Sequence, residues 1–293
     1  MFADFLKPWI FSPTIVLVCA GTLVVYLHGL TRLHRARLPI DIGQAFSFLL
    51  GVGLIYVVMH TRFDYYSQYM FFMHRLQHLV LHHLGPFLIA LAAPGPVLAL
   101  GLPETLKYSL TALWRQPTVH GTYNFLQHPV VAPILFVGLI YFWLTPAIHF
   151  DAMLSSASPH LINLYLLMNW SMLIDGLLFW WLILDPRPPE QAGTLALGKR
   201  ILILLLIMFP QIVLGAIIAL SRRTLYDVYA VCGRAWPIEP AVDQQLGGLI
   251  TWIPAAMMSV VAALVVLSRL LRRKRNGLPL PLTEQRKPSP ASE

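Results

Sequence analysis

Apolar residues in this chain come in long blocks rather than in the short alternations of a half-buried strand or the stripes of a surface helix. Seven blocks stand out, at about 11–30, 42–60, 69–92, 129–148, 160–184, 199–220 and 249–271. Each is long enough to cross a bilayer core, which takes roughly 17–25 mostly apolar residues. Such blocks predict helices, because a helix closes its own backbone hydrogen bonds where no water can. The expected fold is therefore all-α, a polytopic membrane bundle of seven transmembrane helices. Residues 1–275 form one domain in this reading. Residues 276–293, with Pro, Ser and mixed charge, form a disordered cytoplasmic tail.

The segments between the blocks are short, apart from two. After Pro94-Gly95-Pro96, which ends the third block, Pro103-Glu104 looks like a helix start. Leu106, Leu110, Leu113 and Trp114 then recur at helical spacing, which predicts an interfacial helix on the cytoplasmic surface. Between the sixth and seventh blocks, residues 221–250 are polar and aromatic enough to cap the helix ends on the other side. The first block follows a lone Lys7 and is not followed by a small-x-small cleavage pattern, so it reads as a retained helix. Cys19 inside that helix and Cys232 in a distant loop read as free thiols.

Composition agrees: 57% of residues are hydrophobic and 12% charged, too little charge for an ordinary soluble domain. The formal net charge of +8 is unevenly placed. With seven spans, fifteen Lys and Arg fall on one side, including Arg32, Arg35, Arg37, Lys107 and the run at 269–275, and six fall on the other. By the positive-inside rule the N-terminus lies outside and the C-terminus in the cytoplasm. The basic balance is thus an orientation signal, and no nucleic-acid partner is needed to explain it.

The chemistry concentrates in the third block. HRLQHLVLHH places His74, His78, His82 and His83 within ten residues. At about 100° per residue, His74, His78 and His82 drift by only about 40° per step and share a face, whereas His83 lies about 180° from His74. Other donors gather at the same outer level: Met59, His60 and Asp64, then Met70 and Met73, and His149 with Asp151. A site of His60, His74, His78 and His149 needs no unusual folding. Imidazole with thioether nearby points to copper first and zinc second. The His74–His78 spacing matches the zinc-protease pattern H-E-x-x-H, but Arg75 stands where the catalytic Glu is required, so a peptidase is set aside and no enzyme is expected.

A lone intramembrane histidine is more often a packing group, and that reading is preferred for His28, His83, His120, His128 and His160, as it is for Met70 and Met73. For His74 and His78 a ligand or relay role is preferred, since ionisable groups at membrane depth are costly. Asp175, six residues after Asn169, reads as a helix-packing acid, and Arg75 as a side chain that snorkels outward.

Four stretches carry a further likeness: DYYSQYMFFMHRLQHLVLHHLGPFLIALAAP at 64–94, HPVVAPILFVGLIYFWLTPAIHF at 128–150, DGLLFWW at 175–181, and LYDVYA with DQQLGGLITWIP at 225–254. Through them the chain resembles the CtaG-type cytochrome c oxidase assembly factors, seven-helix membrane proteins linked to formation of the oxidase copper centre. The family's histidine pair falls on His74 and His78, and its Asp-Gln motif on Asp243-Gln244. Where the family commonly carries histidines in the fifth helix, this chain has Tyr165 and Met168-Asn169. The resemblance implies a non-enzymatic factor in the bacterial plasma (inner) membrane that carries copper to an oxidase subunit or another copper chaperone. Tyr226, Tyr229, Trp236 and Asp243 would then offer the docking surface, and self-pairing as a homodimer is left open. Two alternatives stay open too: a haem-binding electron carrier, and a copper or proton-coupled transporter using His82 and Asp175.

Overall fold

The computed structural model describes residues 6–155, 163–188, 191 and 193–275; the expected tail at 276–293 and His160 lie outside them. Among the described residues the chain is helical, with one isolated antiparallel bridge between Pro8 and Thr61. It opens with α1 (Pro13–Arg35) and α2 (Ile42–His60), whose start is capped by the Asp41 carboxylate accepting the Gln44 N–H. A short α3 (Arg62–Tyr69) ends where Met70 turns extended, and the chain restarts as α4 (Phe71–His78). Then α4 passes through a π-helical segment, Leu79–Leu84, into α5 (Gly85–Leu91). Next come α6 (Gly95–Gly101), α7 (Glu104–Trp114) and α8 (Pro117–Leu126), followed by α9 (Val131–Leu144) and α10 (Pro146–Ser155). The chain finishes with α11 (Leu164–Leu184), α12 (Leu197–Leu220), the single turn α13 (Val228–Val231) and the long α14 (Pro240–Arg275).

The expected spans at 69–92 and 129–148 are not simple rods. Five helices, α1, α2, α11, α12 and α14, are each long and apolar enough to cross a membrane. The other two candidates are broken: α4 to α5 turns into α6 by 78°, and α8 turns into α9 by 72°. The first break has a local cause. Ala93 sits at a positive φ of 47°, in the left-handed region that L-residues avoid, and Pro94 follows without a backbone N–H. Tertiary contacts hold it there: the His28 ring donates from Nδ1 to the Gly101 carbonyl at 3.1 Å, and Arg32 to the Leu100 carbonyl at 2.9 Å. Backbones meet so closely that a Cβ on Gly101 would overlap the Val25 carbonyl, and one on Gly29 the Val97 carbonyl. The surface helix expected after Pro103 is α7, none of whose residues is buried.

The π-helical segment changes the histidine register. Pro86 offers no N–H to the His82 carbonyl and its ring crowds that oxygen, so the ladder widens there. The released carbonyl accepts the Trp180 indole N–H at 3.1 Å. Helix α11 comes close enough for this because Gly176 lies on the His82 backbone, where a Cβ would stand 2.6 Å from the His82 oxygen.

At the opposite end, Asp243 on α14 accepts the Phe71 and Phe72 N–H groups at 3.2 and 2.9 Å and pairs with Arg234 at 3.2 Å. These are first-turn donors of α4 that have no helical acceptor. The carboxylate therefore sets where the histidine helix begins. Replacing it by Asp243→Ala removes charge-assisted bonds worth about 2–3 kcal/mol in sum, so the thermal midpoint of the detergent-purified protein is expected to fall by several degrees; an unchanged midpoint would show that the cap does not anchor α4.

Candidate metal centre

Three of the four expected ligands meet. The His74 and His78 rings lie 4.3 Å apart between centroids, and the His149 ring is 5.0 Å from that of His74. All three are at most 1% exposed. α4 supplies the pair and α10 supplies His149, with α10 entered at Pro146, whose missing N–H is harmless in a first turn. His60 does not join them: its ring contacts are with Phe11 at 5.6 Å and Tyr56 at 5.1 Å. Phe71 and Tyr226 pack edge-on against His149 at 6.0 and 5.0 Å, and Met172 lines a small cavity together with His78.

The hydrogen bonds fix which ring nitrogens remain open. Asn169 accepts through Oδ1 from His78 Nε2 at 3.1 Å, which leaves the His78 Nδ1 lone pair, and that atom has no partner. Neither nitrogen of His74 has one. His149 differs, since Nδ1 meets the Trp143 carbonyl at 3.1 Å and Nε2 meets the Tyr229 hydroxyl at 3.0 Å. Among the described residues no group of three or more His, Cys, Asp or Glu side chains is arranged to hold a metal ion. What is present is a pair of imidazoles with free nitrogens and a third imidazole whose nitrogens are both engaged.

Around the pair the polar groups are closely partnered. Asp64 accepts from the Tyr165 hydroxyl at 2.6 Å, Gln77 Nε2 at 2.9 Å and Gln68 Nε2 at 2.8 Å. Tyr165 also donates to Gln77 Oε1 at 3.1 Å, and its ring lies 6.2 Å from that of His74. So the fifth-helix positions that depart from the family pattern, Tyr165 and Asn169, both face the histidine pair. Two expectations for neighbouring residues change. Arg75 does not snorkel: it is 5% exposed and donates from Nε to Thr251 on α14 at 2.9 Å. His82 leaves the line of imidazoles, because the π-helical segment turns its ring onto Phe136 at 4.0 Å and its Nε2 onto Asp175 at 3.0 Å.

The capping segment also differs from expectation. Tyr226, Tyr229 and Asp243 are buried and only Trp236 is exposed, so three of the four side chains read as a docking surface point into the bundle. Gln77 was given no role from the sequence, and Tyr229 was read there as part of a docking surface rather than as the partner of His149. A signal existed for Gln77, an uncharged polar side chain between two histidines in an apolar block; Tyr229 sits among other aromatic residues and carries no local mark.

A polytopic membrane bundle with a buried histidine pair near one end is the class of protein that fold and site define. Residues 24–273 match the model of the cytochrome c oxidase caa3 assembly factor family (Caa3_CtaG), and the chain belongs to that family. Uncharacterised proteins of Mycobacterium leprae (24% identical over 277 residues, 92% of this chain) and of Mycobacterium bovis and Mycobacterium tuberculosis (each 26% over 286 residues, 93% of this chain) are similar to it. The match takes up 40–41% of those proteins, so the chain spans about two fifths of the length of these curated relatives. No solved structure matches the chain.

The His82–Asp175 contact should couple energetically. A double-mutant cycle of His82→Ala and Asp175→Ala, followed by unfolding in mixed micelles, is expected to give an interaction of about 1–3 kcal/mol; additive effects would mean that the pair does not hold the π-helical segment to α11.

Proposed function

We propose that the chain assists assembly of a cytochrome c oxidase by holding a copper ion on His74 and His78 and passing it to the oxidase copper centre. The observation that carries this reading is His74, wholly buried with both ring nitrogens unpartnered, beside an equally open His78 Nδ1. A buried polar atom left without a partner costs about 1–3 kcal/mol; His60 and His83 also carry two open ring nitrogens, but His74 and His78 bring theirs together on rings 4.3 Å apart. Two imidazole nitrogens fit a copper ion, and Met172, which lines a small cavity together with His78, would suit Cu(I) further. Two ligands also suit a carrier, because a closed four-ligand site would resist transfer. Family membership supports the assembly role. A cavity of about 10 Å³ beside the pair, lined by His78, His82 and His83 but not by His74, has room for one water-sized occupant and none for a haem macrocycle. His60 has no contact that joins it to the pair, and the reading does not require it.

In this reading the chain is a non-enzymatic component of the bacterial plasma membrane, with its N-terminus and histidine pair toward the outer face. The recipient is an oxidase subunit or another copper chaperone docking there. Copper bound near-stoichiometrically by purified wild type is expected to drop to background in His74→Ala/His78→Ala, with copper-deficient oxidase in cells that hold the variant at normal level. Normal oxidase copper loading in those cells would overturn the proposal, and a Soret band in the purified protein would move it to the haem class. Sidedness has a native reporter, since Cys232 in the capping segment is exposed while Cys19 is buried. A membrane-impermeant maleimide is expected to label Cys232 in intact spheroplasts; labelling only after lysis would reverse the orientation.

A further inference from the structure

His149 is positioned like a ligand but bonded like a packing residue. The Trp143 carbonyl can only accept, so the His149 Nδ1 beside it at 3.1 Å carries the proton. The lone pair is then on Nε2, and it accepts the Tyr229 hydroxyl at 3.0 Å. An Nδ1–H held by a backbone carbonyl is the outer-shell bond that orients a metal-binding imidazole with Nε2 forward. Only the Tyr229 hydroxyl occupies that lone pair. The ring stands 5.0 Å from that of His74, nearly perpendicular to it at 79°.

Tyr229 belongs to the capping segment between α12 and α14, on the single turn α13. Tyr229 is wholly buried, and the segment is tied down at separate points: the Leu225 N–H to Gln244 Oε1 at 2.6 Å, the Tyr226 hydroxyl to the Leu144 carbonyl at 2.9 Å, and Arg234 to Asp243. Trp236, the exposed aromatic of the segment, stacks on Tyr66 at 4.8 Å.

We infer that Tyr229 withholds His149 from the ion, so that the seating of this cap decides whether two or three imidazoles face the cargo. The inference rests on the copper reading above and specifies its regulation. With the cap seated, the ion has His74 and His78 alone and is held loosely enough to leave. With Tyr229 displaced, the His149 Nε2 lone pair is free to become the third donor and the ion is held more tightly. Tyr229 acts through His149 and is a positioning residue.

The test uses the full chain in detergent and Cu(I) alone, competed against a chromophoric Cu(I) chelator. Tyr229→Phe keeps the ring and removes the hydroxyl. It is expected to tighten Cu(I) binding by about three- to tenfold, the equivalent of one net hydrogen bond. The nitrogen count in X-ray absorption should rise from two to three, and both effects should vanish in Tyr229→Phe/His149→Gln. Unchanged or weaker binding in Tyr229→Phe, or tightening that survives in the double variant, would overturn the lock. A second comparison needs no Tyr229 variant: wild type and His149→Gln should give the same two-nitrogen spectrum, and loss of a nitrogen in His149→Gln would show that His149 is already a ligand. Wild type that binds no Cu(I) would sink the copper reading and the lock together, whereas wild-type binding that is lost in His74→Ala/His78→Ala keeps the copper reading whatever Tyr229 does.

Discussion

Hydrocarbon offers no hydrogen-bond partners, so a membrane helix with a polar face has to find each partner on another helix. In this chain His74, Arg75, Gln77, His78, His82 and His83 fall within ten residues of one segment. Their bonds reach in several directions: Gln77 to Val58 on α2 and to Asp64 on α3, His78 to Asn169 and His82 to Asp175 on α11, Arg75 to Thr251 on α14. Each bond fixes the depth and rotation of a neighbour relative to the histidine helix. The arrangement of the bundle follows from that requirement as much as from apolar packing, which along lipid-facing surfaces has little preference for one neighbour over another.

Against that background the open nitrogens of His74 and His78 carry information. Asp64, Gln77 and Arg75 nearby are bonded, Asp64 three times over; His60 and His83 are open like His74, and the pair differs from them in bringing its open rings together. Leaving two imidazoles unpartnered beside each other is costly, and proteins retain such cost mainly where function needs the groups. The engaged state of His149 belongs to the same logic. Its carbonyl bond orients the ring and its hydroxyl bond occupies the remaining lone pair, so the third histidine is satisfied while the first two are not.

Kinship and structure speak to different levels. Membership in the caa3 assembly factor family concerns the biological process. The arrangement of donors concerns chemistry, and among the described residues it brings together no closed set of three or more His, Cys, Asp or Glu ligands. Because the similar mycobacterial proteins are more than twice as long as the matched region, a region similar to this chain also occurs within longer chains.

Much of this was legible in the order of residues. Block lengths alone required helices, though not the two breaks or the start of the last helix at Pro240 inside the expected cap, and the i, i+4 spacing alone required His74 and His78 to be neighbours. Pro86 and Pro94 marked where helices had to deform, though not by how much. The rest depended on which helices touch. The 78° turn at Ala93 needs α1 behind it, the register of His82 needs Trp180 and Gly176 of α11, and the separation of His60 from the trio needs Phe11 and Tyr56 around it. Spacing places residues only along and around their own helix, whereas a ligand set is chosen by the depth and rotation of several helices at once. Those are set by long-range hydrogen bonds such as Tyr229 to His149, eighty residues apart in the chain and 3.0 Å apart in the fold.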